Sequence, residues 1–147
     1  MWRILFLLAL LSFALAGPAA AEGVSLAAAA RAQQGLPGLR PDPVLLRAAQ
    51  MQADHMAERG RIGHDGPGGM SLVARARAVG HRPCYLAENV ASGQRSAARV
   101  TRDWLRSPGH RANILNPRHD RAALAWARGR NGRLYWAMVL AGPCRGP

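Results

Sequence analysis

The sequence predicts a single α+β domain, with helices gathered around a small antiparallel sheet. Three observations carry that expectation. Apolar residues recur at three- and four-residue steps after Asp42, as one buried helix face requires. Two strand-like apolar runs flank Gly129-Arg130-Asn131-Gly132, and its Asn-Gly pair is a strong hairpin signal. Ser25, Asp42, Ser96 and Ser107 stand ahead of helical stretches as caps. At 147 residues the chain suits one domain and leaves no room for a second.

Residues 1–21 read as an export signal. Arg3 supplies a charged start, Ile4 to Ala16 is apolar, and Ala19-Ala20-Ala21 offers small residues for cleavage before Glu22. The apolar run is shorter than the roughly 20 residues a spanning helix needs. The domain is therefore expected over residues 22–147, secreted to an extracellular or periplasmic space, with no membrane span after cleavage.

Ser25 is read as the cap of a first helix, Leu26 to Gln34, ended by Gly35. The Leu36-Pro37-Gly38-Leu39-Arg40-Pro41 stretch is too rich in Pro and Gly to continue it. Asp42-Pro43 restarts a helix with a carboxylate cap and proline at its first position; Leu46, Ala49, Ala53, Met56 and Ala57 form its apolar stripe and Gly60 ends it. His55 on this helix is read as a partly exposed or core-edge histidine. Arg61 to Gly69 is glycine-dense and reads as a loop carrying His64. Ser71 to Val79 resembles a third helix stopped by Gly80, with His81 and Arg82 solvated after it. Tyr85 to Val90 reads as a strand. Ser96 caps a helix carrying Ala97, Val100, Thr101 and Trp104, and Trp104 is assigned to the core. Ser107-Pro108 opens a short helix whose first turn aims His110. Arg121 to Arg128 and Leu134 to Leu140 form the hairpin, with Trp126, Tyr135 and Trp136 packing across it or covering a helix.

Charge is lopsided, with 20 Lys+Arg against 8 Asp+Glu, and every basic residue is arginine. A net charge of +12 predicts attraction to anionic polymers or lipid headgroups without identifying a site. The arginines are scattered and have no aromatic interleaving, so no specific nucleic-acid recognition is expected. Cys84 and Cys144 are the two cysteines. In an exported chain an isolated pair is expected to be bridged, and neither has the second cysteine at the spacing of a zinc site.

Glu88 lies among apolar neighbours in its strand, where a carboxylate needs a partner. With His64 and His110 it makes a set of two imidazoles and one carboxylate, able to hold Zn²⁺ or another divalent cation and leave a position for water or substrate. The same three groups serve equally well as a hydrogen-bonded cluster that fixes loops over the sheet. No serine sits in a Gly-x-Ser-x-Gly elbow, so nucleophilic hydrolysis is not expected.

Leu46, Ala49, Met56, His64, Arg75 and Gly80, followed by Ala87-Glu88-Asn89-Val90-Ala91-Ser92-Gly93, Trp104 and Ser107-Pro108-Gly109-His110-Arg111-Ala112-Asn113-Ile114-Leu115, stand in an order that resembles the CAP superfamily. These are the cysteine-rich secretory, antigen five and pathogenesis-related (SCP-like) proteins, here in a short bacterial secreted form. The resemblance runs from about Leu26 to Cys144 and implies a three-layer α-β-α sandwich. Family members carry two histidines and two glutamates around a cleft; His64, Glu88 and His110 match, whereas the second glutamate has no counterpart in Pro67-Gly68-Gly69-Met70-Ser71-Leu72. Asp65 is the nearest carboxylate. Asn89, Arg111 and Asn113 also match and are expected to satisfy backbone groups.

The function expected is that of a monomeric secreted binding or interaction protein with a polar His/Glu cleft for a divalent metal, its partner a small ligand, lipid or envelope polymer. One alternative is a zinc-dependent hydrolase with Glu88 as general base. Another is a basic adhesion protein for anionic envelope polymers or lipid.

Overall fold

The computed structural model describes residues 17–82 and 84–144. Met1 to Ala16 of the expected export signal lie outside the described residues. The chain runs α1 (Pro18–Ala32), β1 (Arg40–Pro41), α2 (Pro43–Arg59), a 3₁₀ turn (Pro67–Gly69), α3 (Leu72–Ala78), β2 (Tyr85–Ser92), α4 (Ala97–Arg106), α5 (Pro108–Leu115), β3 (Arg121–Arg128) and β4 (Leu134–Gly142).

One four-stranded sheet has the order β1-β3-β4-β2. The hairpin β3–β4 and the pair β2–β4 are antiparallel, and β1 adds a short parallel edge to β3. Because side chains alternate across a strand, β4 feeds two cores. Trp136, Met138 and Leu140 pack with Val24, Ala27, Val100, Trp104 and Ile114 of α1, α4 and α5. Tyr135, Val139 and Ala141 pack with Leu45, Ala49, Ala53 and Met56 of α2. The result is the α-β-α sandwich that the family resemblance implied.

The caps explain most boundaries. Asp42 accepts from the backbone N–H groups of Val44 and Leu45 at 2.8 and 3.1 Å, and Gly60 closes α2 in the left-handed conformation at φ +68°, a region only glycine enters freely. Ser71 and Ser96 cap α3 and α4 through their hydroxyls.

Four expectations need correcting. The first helix begins at Pro18 behind Gly17, not at Ser25. Pro18 is preset for a first helical position, and Ala20, Val24, Ala27 and Arg31 form one buried face. The expected cleavage residues Ala19–Ala21 lie in its first turns. Arg40–Pro41, read as irregular, is a strand because Arg40 N–H donates to Asp120 O and Asp42 N–H to Ala122 O. His81, read as solvated, has a side chain only 16% exposed and lies 3.5 Å from Asp42 Oδ2. Ser107 does not cap α5 through its side chain; its hydroxyl meets His110 instead.

Trp126 and Trp136 lie together across the hairpin, ring centroids 6.2 Å apart, while Tyr135 turns to the α2 face. Cys84 and Cys144 form a disulfide. They flank strands already in register, with Tyr85 opposite Gly142.

Candidate functional site

The site straddles β2, the outer strand of the sheet. Even-numbered β2 residues face α2 and α3, so Glu88 points to that side along with Leu86 and Val90. Its side chain is 2% exposed. One oxygen meets His64 Nδ1 at 3.0 Å, from the glycine loop after α2. The other accepts from Arg75 Nη2, from α3, in a buried ion pair. Arg75 is fully buried and also donates through Nη1 to the His64 and Met70 carbonyls at 2.8 and 3.1 Å. One guanidinium thus neutralises the carboxylate and holds the loop that presents His64.

Close approach requires Gly66 here: a Cβ would come within 2.7 Å of Arg75 Cδ. Gln52 of α2 supports the loop from beneath, donating to Gly63 O at 2.6 Å.

His110 reaches the site from the other layer. Asn89 Nδ2 donates to the His110 carbonyl at 3.1 Å, and Asn113 Nδ2 donates to Asn89 Oδ1 at 2.8 Å, so two amides dock α5 on β2 beside Glu88. Arg111 donates to Leu105 O. These three residues satisfy backbone or one another, as expected. The His110 ring pairs through Nδ1 with Ser107 Oγ at 3.0 Å and lies 6.4 Å from the Trp104 ring. Burial draws its pKa below the ordinary value, and the charge of a protonated His64 acts in the same direction.

His64 and Glu88 are in direct contact; His110 is tied to β2 through its carbonyl on Asn89 and makes no hydrogen bond to His64 or Glu88 among the described residues. Asp65 does not replace the absent family glutamate. Among the described residues its side chain makes no hydrogen bond to this cluster, and its backbone carbonyl accepts from Gln52. Arg75 is the residue whose role the sequence reading missed. Its signal was present in the need of Glu88 for a counter-charge.

Glu88 itself is not free to serve as a direct cation ligand in this arrangement. Both carboxylate oxygens are engaged, one by a guanidinium that already supplies the positive charge. Among the described residues no three His, Cys, Asp or Glu side chains are grouped so as to hold a metal ion.

Residues 24–140 match the Cysteine-rich secretory protein family. The chain belongs to that family, the CAP family. A Bacillus subtilis relative, the uncharacterized protein YkwD, is 34% identical over 94 residues, 64% of this chain. That stretch is 37% of YkwD, so this CAP domain spans well under half the length of that relative. Among solved structures, an outer surface protein of Borrelia burgdorferi superposes with a TM-score of 0.73 at 22% identity, over 82% of this chain and 89% of that one. An extracellular SCP-domain protein of Bacillus anthracis superposes with 0.74 at 21% identity, over 84% and 40%. At such identities the likeness establishes the CAP fold. No helix among the described residues is long and apolar enough to cross a membrane.

Proposed function

We propose that this CAP domain is a secreted binding module whose cleft takes a hydrogen-bond-donating ligand, a hydroxyl or amide group, on the outward imidazole edges of His64 and His110. The observation that carries the reading is the engagement of Glu88 on both oxygens. Arg75 keeps the carboxylate a pure acceptor, so His64 must turn its Nδ1–H toward it. Nε2 is then the edge turned away from Glu88, an acceptor whenever the ring carries one proton, and the 63% exposure of the His64 side chain leaves that atom open to a ligand. Export is supported by the N-terminal pattern of the sequence and by structural neighbours described as extracellular or outer-surface proteins.

The same observation weighs against the hydrolase reading. A general base must reach a water, whereas Glu88 is buried and carries a guanidinium. The reading is tested with ¹⁵N-labelled protein titrated with hydroxyl-bearing glycan fragments and, separately, with Zn²⁺ at neutral pH. Fragment binding should shift the Nε2 resonances of His64 and His110 and vanish in His64→Ala. Zinc binding that is lost in both His64→Ala and Glu88→Gln would overturn it in favour of the metal centre.

A further inference from the structure

At the hairpin end of the sheet we infer a second site, one that takes an acidic polysaccharide. Two hollows adjoin there, of about 640 and 540 Å³, sharing Gly93, Gln94 and Arg95 as a common wall. The first is completed by Arg128 and Arg133 of the hairpin, the second by Arg99 and Arg102 of α4. Five arginines thus face two connected concavities. All five are exposed.

Only one carboxylate among the described residues, Asp103, lines either hollow, and it is already bound by Arg99 at 3.1 Å and by Gln94 at 3.3 Å. Arg95 and Arg102 have no ion pair among the described residues. Arg128 and Arg133 donate there only to Gly132 O and Ser92 Oγ, leaving most of each guanidinium fork for carboxylate or sulfate oxygens. The walls are preset rather than loose. Trp136 Nε1 donates to Gln94 O at 2.9 Å, Gly93 N–H donates to Leu134 O at 2.9 Å, and Gly93 at φ +98° lets the Arg133 guanidinium lie against its backbone.

The second hollow also borders Arg99, in the first turn of α4, where the helix dipole is positive. The contrast with the hollow of about 570 Å³ beside Arg59 and Arg61 is informative. That one contains Asp65 and lies at the C-terminal end of α2, where the dipole opposes an anion.

Connected hollows suit a chain bearing repeated anions rather than a single ion. Ser92, Gln94 and Asn131 between the arginines offer partners for sugar hydroxyls. Among the described residues no aromatic side chain lines either hollow, which removes the stacking platform that single-stranded nucleic acid uses.

The test is calorimetric titration with a heparin oligosaccharide, using the full chain after export. Binding should weaken steeply between about 50 and about 200 mM salt. The triple variant Arg95→Glu, Arg102→Glu, Arg128→Glu should lose at least about tenfold in affinity and flatten the salt slope by about 2, three charge contacts at roughly 0.7 each. Arg59→Glu, Arg61→Glu, Arg77→Glu makes the same change in net charge elsewhere and should lose far less. Equal losses in the two triples would overturn the site and leave only a diffuse field. Should the first triple not fold by circular dichroism, Arg95→Ala with Arg102→Ala removes two exposed side chains that anchor no ion pair, and unchanged affinity would overturn the proposal. Tighter binding of a single-stranded oligonucleotide of equal charge would overturn the polysaccharide assignment. His64→Ala should leave this binding intact, which separates its failure from that of the cleft.

Discussion

Two arginines, Arg31 and Arg75, are fully buried, and the fold holds them in opposite ways. Arg75 spends its charge on a carboxylate, Glu88. Arg31 has no carboxylate in contact among the described residues. It donates to four backbone carbonyls, Pro37, Ile114, Asn116 and His119, at 2.7 to 2.8 Å. Burial therefore lowers the Arg31 pKa, opposed by the more distant Asp120. The carbonyls of Ile114 and Asn116 close α5, and a cation suits a helix C-terminus. Arg31 is thus a joint between α1 and the chain entering β3. Arg75 is a counter-ion for a site. The difference is that a side chain can be changed to release one charge, whereas the backbone that holds the other cannot.

Breaking the counter-ion should cost most. Arg75→Met leaves Glu88 buried and unpaired and should lower stability by about 3–5 kcal/mol, measured by denaturant unfolding. Adding Glu88→Leu should recover at least half of that loss, since an apolar pair replaces an ion pair at little cost. No recovery would mean that the bonds from Arg75 to the His64 and Met70 carbonyls, not its charge, dominate.

Arg31→Met should cost about 2–4 kcal/mol, because the Ile114 and His119 carbonyls are left buried at about 1–2 kcal/mol each. Here no partner substitution should rescue the loss. Rescue by a neutralising change at Asp120 would erase the distinction between the two arginines.

The smallest effect is a pH dependence on the Arg31 side. His119 is 2% exposed. Burial lowers its pKa, the bond to Asn113 O raises it, and the charge of Arg31 lowers it again. Below about pH 6.5 the unfolded chain takes up a proton that the folded His119 resists, as the folded His110 does. Stability should therefore be full at neutral pH and fall through the window below about 6.5, by no more than about 1.4 kcal/mol per pH unit for each histidine. Thermal unfolding from about pH 7.5 to about pH 5 checks the slope, and His119→Gln should make it shallower.

How far the sequence was legible follows from the reach of each interaction. The α2 boundaries rest on Asp42, Pro43 and Gly60, and the hairpin on Asn131-Gly132, all local signals that were read correctly. β1 exists only through pairing with the chain around Asp120 and Ala122, some eighty residues away, and no local pattern announces a two-residue strand. The α1 start was misread because Pro18 lies in a stretch that also resembles an export signal. At the site, His64, Glu88 and His110 were picked out by motif, but their connection was not. Whether Glu88 meets a metal, two imidazoles or a guanidinium depends on how α3 packs against β2. Arg31 left a clearer trace: it continues the buried face of Val24 and Ala27 at helical spacing, the mark of a helix arginine that turns inward.

The strand order has a further consequence, in time rather than in space. β4 is the last strand in sequence, yet it lies between β3 and β2 and contributes side chains to both cores. A chain made from its N-terminus has α1, α2, α4 and both flanking strands in hand before the strand that unites them in one sheet, since among the described residues β2 pairs with no strand but β4. The sheet is completed only with Leu134–Gly142, and the β2–β4 pairing is long-range and slow to find. Until that strand emerges, β2 and β3 share no sheet and both cores lack the side chains of their common strand.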